Sequence, residues 1–492
     1  MEVSWLSTML LALTIFCMFM YSSWKAMYRR GNLPPGPTPL PVIGSVLQIK
    51  RGKLARSLME LGQKYGSVYT LYFGSKPVIM LCGYEAVKEA LVDHADEFAN
   101  RGNLGTVDDV VSGVGVGFSN GETWKSLRRF TLMSLRNFGM GKRSIEERIQ
   151  EEARCLVAEL KYYKGKSIDP TRILAMCVSN VICSIVFGDR FEYDDKDYRI
   201  LLGILNVMAR DMSSTFGQLQ VLLPGIMKYI PGPHKRIHQH MAHMLDFVTQ
   251  RVEKNNKTLD QNSPRDFIDC FLIKHQQEKN NPSFSMVNML QTIFNLFIAG
   301  SETVSNTLRH GFLVLLKYPD IQAKIQEEIH KVIGENRSPS IDDRTKMPYT
   351  DAVIHEIQRF CDVAPMGLPH AVTQDIEFRG YTIPKGTDVY PLLCSVLRDP
   401  KHYATPNKFN PGHFLDKNGD LKKNEAFVPF SAGKRACLGE GLARMELFIF
   451  LTSVLQSFTL SSETTFTEED INPKMSGFGC QPTTYQLSFN QL

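Results

Sequence analysis

Phe430-Ser431-Ala432-Gly433-Lys434-Arg435-Ala436-Cys437-Leu438-Gly439 places a single cysteine directly before a helical pattern over residues 440–457. A helix N-terminus offers unpaired amides and a partial positive charge, and both favour a thiolate over a thiol. Gly433 and Gly439 permit a tight turn and the close approach of something flat, while Arg435 supplies a fork for a carboxylate. The plain alternative is a buried structural cysteine, the usual role of a lone thiol.

Nothing else in the chain competes with this segment. The ten cysteines are dilute in 492 residues and none forms C-x-x-C, which excludes a disulfide scaffold, a zinc ribbon and C-x-x-C-H haem attachment. Lys+Arg 56 against Asp+Glu 51 gives a net charge of +5, too small for a dedicated nucleic-acid binder. Gly113, Gly115 and Gly117 resemble a dinucleotide loop, but Phe118 stands where the last glycine belongs. His355-Glu356-Ile357-Gln358-Arg359 lacks the second histidine of a zinc helix, and the His234, His238, His240 and His243 cluster reads as a solvated basic helix start. Gly117-Phe118-Ser119-Asn120-Gly121 matches G-x-S-x-G and keeps a serine hydrolase as the rival function.

Val3 to Trp24 is 22 residues without a charge, with Lys25, Arg29 and Arg30 behind it. As a helix it would span roughly 33 Å, so residues 1–30 read as a membrane anchor with the remainder of the chain cytosolic. Residues 31–45 carry a run of prolines and read as a stiff linker, and 46–492 as one large catalytic domain. That body is mainly α with a small sheet. Strands are expected at 68–73 and 78–82, at 376–381 paired with 387–392, and at Thr484 to Phe489. Amphipathic helices are expected over 143–161, 235–254, 319–333, 349–361 and 440–457, and a long buried one from Met286 to Lys317.

With F-x-x-G-x-R-x-C-x-G in place, the chain resembles the cytochrome P-450 superfamily over essentially its whole length, and within it the vertebrate microsomal family-two enzymes. Glu356-x-x-Arg359 resembles the family's ExxR pair, tied to a later basic residue that here is His413. Ala299-Gly300-Ser301-Glu302-Thr303 resembles the oxygen-activation motif of the long helix, with Val304 leaving Thr303 as the sole hydroxyl at that spot. Trp124-x-x-x-Arg128 resembles the helix that holds a haem propionate, and Arg101, His370 and Arg435 look like the other propionate partners.

The resemblance implies the P-450 fold, with haem b held by Cys437 between the long helix and the cysteine loop, and no directly bound NADPH or flavin. Glu302 and Thr303 would relay protons for oxygen activation, with Thr303 bonding back to the Ala299 carbonyl and Gly300 helping the helix open a groove. Electrons would come from NADPH through a flavoprotein reductase, with a microsomal b-type cytochrome as a further partner. Lys125, Arg128, Arg129, Arg136, Lys142, Arg143 and Lys434 would form the docking face. Pocket positions carried over are Phe118, Met208, Met212, Asn295, Ile298, Ala299, Val363, Gly367 and Phe478, none of them charged. Neutral lipophilic substrates (xenobiotics, fatty acids or steroids) are therefore expected at the endoplasmic reticulum membrane. The apolar run Leu219 to Ile230 reads either as a second membrane contact or as a buried helix hairpin.

Overall fold

Met286–Lys317 forms one continuous helix of 32 residues, started by Ser285, whose side chain accepts from the Asn288 amide. The computed structural model describes residues 2–28, 31–105, 111–139, 143–473 and 479–492. This central helix is apolar on nearly every side because other helices enclose it, Thr171–Val186 most closely. Gly300 faces that neighbour: a Cβ there would lie 2.9 Å from Ile182 Cγ1. The glycine therefore serves close helix packing, and the helix stays regular through it, which corrects the expectation of a groove at this point.

The helices Arg143–Tyr162, His234–Lys257, Pro319–Val332, Pro348–Cys361 and Glu440–Ser457 lie within three residues of their expected bounds. Pro319 and Pro348 open theirs, where a missing N–H costs nothing. The last of the five is not amphipathic in place: Met445 to Leu455 is buried without a break, so this helix runs through the core.

Strands β1 (Val68–Phe73) and β2 (Lys76–Cys82) pair antiparallel. Strand β3 is Asn100–Arg101, β4 is His370–Ala371, β5 is Ile376–Phe378, β6 is Tyr381–Ile383 and β7 is Asp388–Leu392. The main sheet has the order β1-β2-β7-β4-β3. The expected pairing of 376–381 with 387–392 is wrong. Arg379 (φ 52°) and Gly380 (φ 81°) make a two-residue turn that closes β5 on β6, the left-handed pair a tight hairpin requires. That frees β7 to lie parallel to β2. The last strand also shifts: β8 (Phe458–Ser461) pairs with β9 (Ser488–Gln491), and Leu487 bridges to Ile168 before it.

The proline-rich stretch is part of this body and not a spacer beside it. The Thr70 amide donates to the Pro35 carbonyl at 2.9 Å, the Thr70 hydroxyl to that of Pro34 at 2.8 Å, and the Ser45 amide to that of Tyr72 at 2.8 Å. Asn32 joins the β5–β6 hairpin, accepting from the Thr382 amide and donating to the Gly380 carbonyl. Ahead of it, the helix Glu2–Tyr28 leaves its apolar surface uncovered; Trp5–Lys25 has mean hydropathy 1.7 and is long and apolar enough to cross a membrane.

Candidate active site

The sheet sets one wall of the site, because the β3–β4 register makes Arg101 and His370 direct neighbours. His370 donates from Nδ1 to the Phe98 carbonyl at 2.7 Å, so its Nε2 accepts from Arg101 Nη1 at 3.2 Å. Burial, then Arg101, push His370 down to about 3, so the ring is neutral. Arg101 also donates from Nε to the Gly117 carbonyl at 3.2 Å, and burial brings its pKa to about 10.

Arg435 enters from the cysteine loop. It donates from Nε to Ala99 O at 2.7 Å and from Nη2 to Ser119 O at 2.7 Å, and lies 3.8 Å above the Trp124 ring. Arg128 donates to the Ala436 carbonyl at 2.8 Å. Burial and the two other guanidiniums lower Arg435 to about 8, and its Nη1 is buried without a partner. Among the described residues none of these three arginines has a carboxylate partner. Such a cluster is a built receptor for a dianion, and two propionates from a flat macrocycle fit it.

Beside it the cysteine loop is tightly turned. Gly433 (φ +72°) abuts the Leu91 carbonyl and leaves no room for a side chain, and the Cys437 amide donates to Phe430 O at 3.0 Å. Of the ten cysteines only Cys17 and Cys437 are exposed. Surrounding protein desolvates the Cys437 thiol and raises its pKa, while the Gly439 amide and Arg128 act in the opposite sense. On the central helix, Ala299 and Thr303 are the exposed residues between Thr292 and Lys317, one turn apart on a helix otherwise enclosed. Thr303 Oγ1 bonds back to the Ala299 carbonyl at 2.9 Å, as expected from the sequence. Burial raises the Glu302 pKa, and the bond from Asn306 Nδ2 at 3.2 Å opposes it.

Residues 34–489 match the family described as Cytochrome P450. The chain belongs to the cytochrome P450 family. It is similar to cytochrome P450 2G1 of Oryctolagus cuniculus, 55% identical over 489 residues and 99% of either chain. It is similar also to cytochrome P450 2B4 of that species, 53% identical over 461 residues (93% of this chain, 94% of the relative). Cytochrome P450 2A13 of Homo sapiens is 52% identical over 486 residues, 98% of either chain. The chain is thus a cytochrome P450 monooxygenase, a family whose haem iron takes a cysteine thiolate and whose members use redox partners.

In this cytochrome P450 the Glu356–Arg359 pair is fully buried. All five Arg359 N–H groups are used: Nε and Nη2 reach Glu356 at 2.7 Å each, and the other three reach the carbonyls of Leu397, Pro406 and Lys408. His413 Nε2 accepts from the Thr405 amide at 3.1 Å, so Nδ1 carries the proton that faces both Glu356 oxygens at 3.2 Å. The histidine thereby ties the buried pair to the Pro411–Phe414 turn.

The rival functions fall to geometry. Ser119 is fully buried, donates to the Gly115 carbonyl at 2.6 Å, and follows the short helix Gly115–Phe118 where a hydrolase elbow needs a strand. His234 is 2% exposed and stacks on Phe216, so the solvated reading fails for that residue, while His243, Lys235 and Arg236 of the same helix start are exposed. No group of three or more His, Cys, Asp or Glu gathers for a metal among the described residues.

The pocket positions divide. Phe118, Met212 and Ile298 are half-buried against the core, and Met208 is buried in it. Asn295 Oδ1 accepts from the Gly117 amide at 3.0 Å and pins that short helix to the central one. Val363 is half-buried, with its carbonyl accepting from the Cys480 amide. Gly367 (φ +59°) packs on β7, where a Cβ would meet Pro391 at 3.3 Å. Phe478 and Lys142 lie outside the described residues. Sequence reasoning missed Asn120. It stands at the N-cap of Gly121–Asn137, yet its side chain makes no cap and accepts instead from the Arg101 amide at 2.7 Å and Arg435 Nη2 at 3.1 Å. An N-cap asparagine before the Trp124 motif was the available signal.

His310 gives a pH prediction. Burial pulls its pKa down to about 4, with Nδ1 against the Asn306 carbonyl at 3.0 Å. The unfolded ring takes up its proton near 6.5 and the folded one does not, so stability falls as pH drops below that value. Between pH 7 and 5 this group alone should cost about 2 kcal/mol. His310→Asn should flatten the fall by that amount in denaturant melts at the two pH values; an unchanged slope would contradict the assignment.

Proposed function

We propose that the chain inserts one oxygen atom of dioxygen into neutral lipophilic small molecules, with haem b ligated by Cys437 and electrons from NADPH delivered by a flavoprotein reductase. The observation that carries this is the anion receptor of Arg101, Arg128 and Arg435, with Trp124 and His370, beside an exposed cysteine at the start of a core helix. When bound, the haem supplies dioxygen activation, favoured by the electron-rich Cys437 thiolate. Thr303 would turn its hydroxyl from the Ala299 carbonyl to hand on a proton, and Glu302, held toward the neutral form by burial, would replenish it. The uncharged wall around Phe118, Ile298 and Ala299 would hold substrate by apolar contact.

For the reductase, Arg129, Arg136 and Arg143 offer exposed basic side chains. Lys125 and Lys434 are already paired with Glu122 and Asp96, and Arg128 is turned inward, so they contribute less than the sequence suggested. Residues 1–30 would anchor the chain in the endoplasmic reticulum membrane and 46–492 form the cytosolic catalytic body, with residues 31–45 fastened to it. A b-type cytochrome would use the same basic face. The test is the reduced carbon-monoxide spectrum together with NADPH-dependent product formation in the presence of reductase. A thiolate Soret band with turnover supports the reading, and haem-free protein would overturn it.

Thr303→Ala should fold and take up haem, since alanine adds no bulk and is the better helix former. With Val304 next to it, no second hydroxyl stands in. Product per NADPH should fall about tenfold while hydrogen peroxide rises. Unchanged coupling would make Thr303 a structural residue.

A further inference from the structure

Glu302, Asn306 and Arg309 stand at i, i+4 and i+7 of the central helix, which sets them on one face, with Thr303 next to the first of them. Arg309 Nη1 donates to Asn306 Oδ1 at 3.0 Å, and Asn306 Nδ2 donates to Glu302 Oε2 at 3.2 Å. A guanidinium can only donate, so the amide has a single orientation: its oxygen faces Arg309 and its N–H faces the carboxyl. Glu302 Oε1 has no hydrogen-bond partner among the described residues.

The two opposite charges are joined by that amide and do not touch. Neither Glu302 nor Arg309 forms an ion pair with a described residue, although Arg309 is 6% exposed and its Nε is buried without a partner. A buried guanidinium with no carboxylate against it is costly to fold around, so its presence here calls for a role. Among the described residues it is the one charged group that acts on Glu302, where it and the Asn306 N–H oppose the effect of burial. The elements packed on this face act on Arg309 instead. The Tyr485 hydroxyl donates to the Arg309 carbonyl at 2.6 Å, and the exposed Asp169, just ahead of Thr171–Val186, favours the charged guanidinium. His310, neutral and buried, keeps Nδ1 on the Asn306 carbonyl.

We propose that Asn306, polarised by Arg309, is a positioning residue for proton delivery, holding the Glu302 carboxyl in the orientation that serves Thr303. When the Thr303 hydroxyl passes its proton on, Glu302 replaces it and is left as a carboxylate. The Asn306 N–H, backed by the guanidinium, stabilises that carboxylate until water returns a proton to it. The proposal rests on the reading of Glu302 and Thr303 given above.

The test follows the Glu302 carboxyl directly, by infrared difference spectra against pH on the full-length haem protein in mild detergent, without turnover. Its C=O band is the one absent from Glu302→Gln. In Asn306→Leu this carboxyl should bind its proton about tenfold more tightly, so the band persists to higher pH, and product per NADPH should fall about fivefold. Asn306→Asp separates positioning from support of Arg309. It gives the guanidinium a full counter-charge but turns a second acceptor toward Glu302, so the tighter proton and the lost coupling are expected again. The carbon-monoxide spectrum and Tm of each variant are the folding controls. A band that titrates as in wild type in both variants would overturn the proposal. Full coupling in Asn306→Asp would also overturn it, leaving Asn306 a structural partner of Arg309. Wild-type coupling in Glu302→Gln would instead defeat the proton-donor reading itself, whatever the band does in the Asn306 variants.

Discussion

Cys437→Ala will fold into a protein without the thiolate Soret band of the reduced carbon-monoxide complex and without monooxygenase turnover. Eight of the other nine cysteines are not exposed, and Cys17 lies on the N-terminal helix, so no second thiol can substitute. The loop itself should survive, because it is held by Gly433, by the Cys437 amide and by Arg435, none of which needs the sulfur. Cys437→His keeps a possible ligand but lengthens the side chain, and should lose the thiolate band equally. The measurement is the spectrum beside a far-ultraviolet dichroism trace. A retained band would move the ligand elsewhere in the chain.

Arg359→Lys should be nearly as damaging, for a different reason. An ammonium with three donors replaces a guanidinium with five, so at least two of the five bonds to Glu356 and to the carbonyls of Leu397, Pro406 and Lys408 are lost, and the bidentate fork on Glu356 with them. Breaking one buried pair of this kind costs about 3–5 kcal/mol, against a typical total of roughly 5–15 kcal/mol. Arg359→Ala should give no soluble haem protein, and Arg359→Lys a small fraction of the wild-type yield with a markedly lower melting temperature. Wild-type yield and Tm for Arg359→Lys would show that the network is dispensable.

What the sequence made legible was local or motif-borne. The central helix carries a capping Ser285 and a long apolar run of its own, and the cysteine segment fixes enough positions to point to one chemistry. The hairpin at Arg379-Gly380 was hidden because arginine is an uncommon choice for a left-handed turn, so the more obvious Pro384-Lys385-Gly386 drew the reading. The place of β7 beside β2 joins strands some 300 residues apart, which no alternation pattern encodes. Arg435, Arg101 and His370 were nameable from the resemblance, whereas Asn120, which aligns two of them, has a meaning that only the assembled site reveals. Gly300 was read as a device for opening the helix when its neighbour Ile182, from a distant segment, decides its role.

The bond between Asn32 and the β5–β6 hairpin limits how the body can move once Glu2–Tyr28 is embedded. From Tyr28 to Asn32 is four residue steps, at most about 14 Å of extended chain. The tether therefore has almost no slack. The body cannot tumble about its anchor as a bead on a string would. On the proposed anchoring it is leashed by one corner, with the hairpin held within that reach of the helix end. Lengthening residues 29–31 by a flexible insert should raise rotational mobility on the membrane without touching the haem site, and any encounter that depends on a fixed presentation of the Arg129–Arg136 face should become slower.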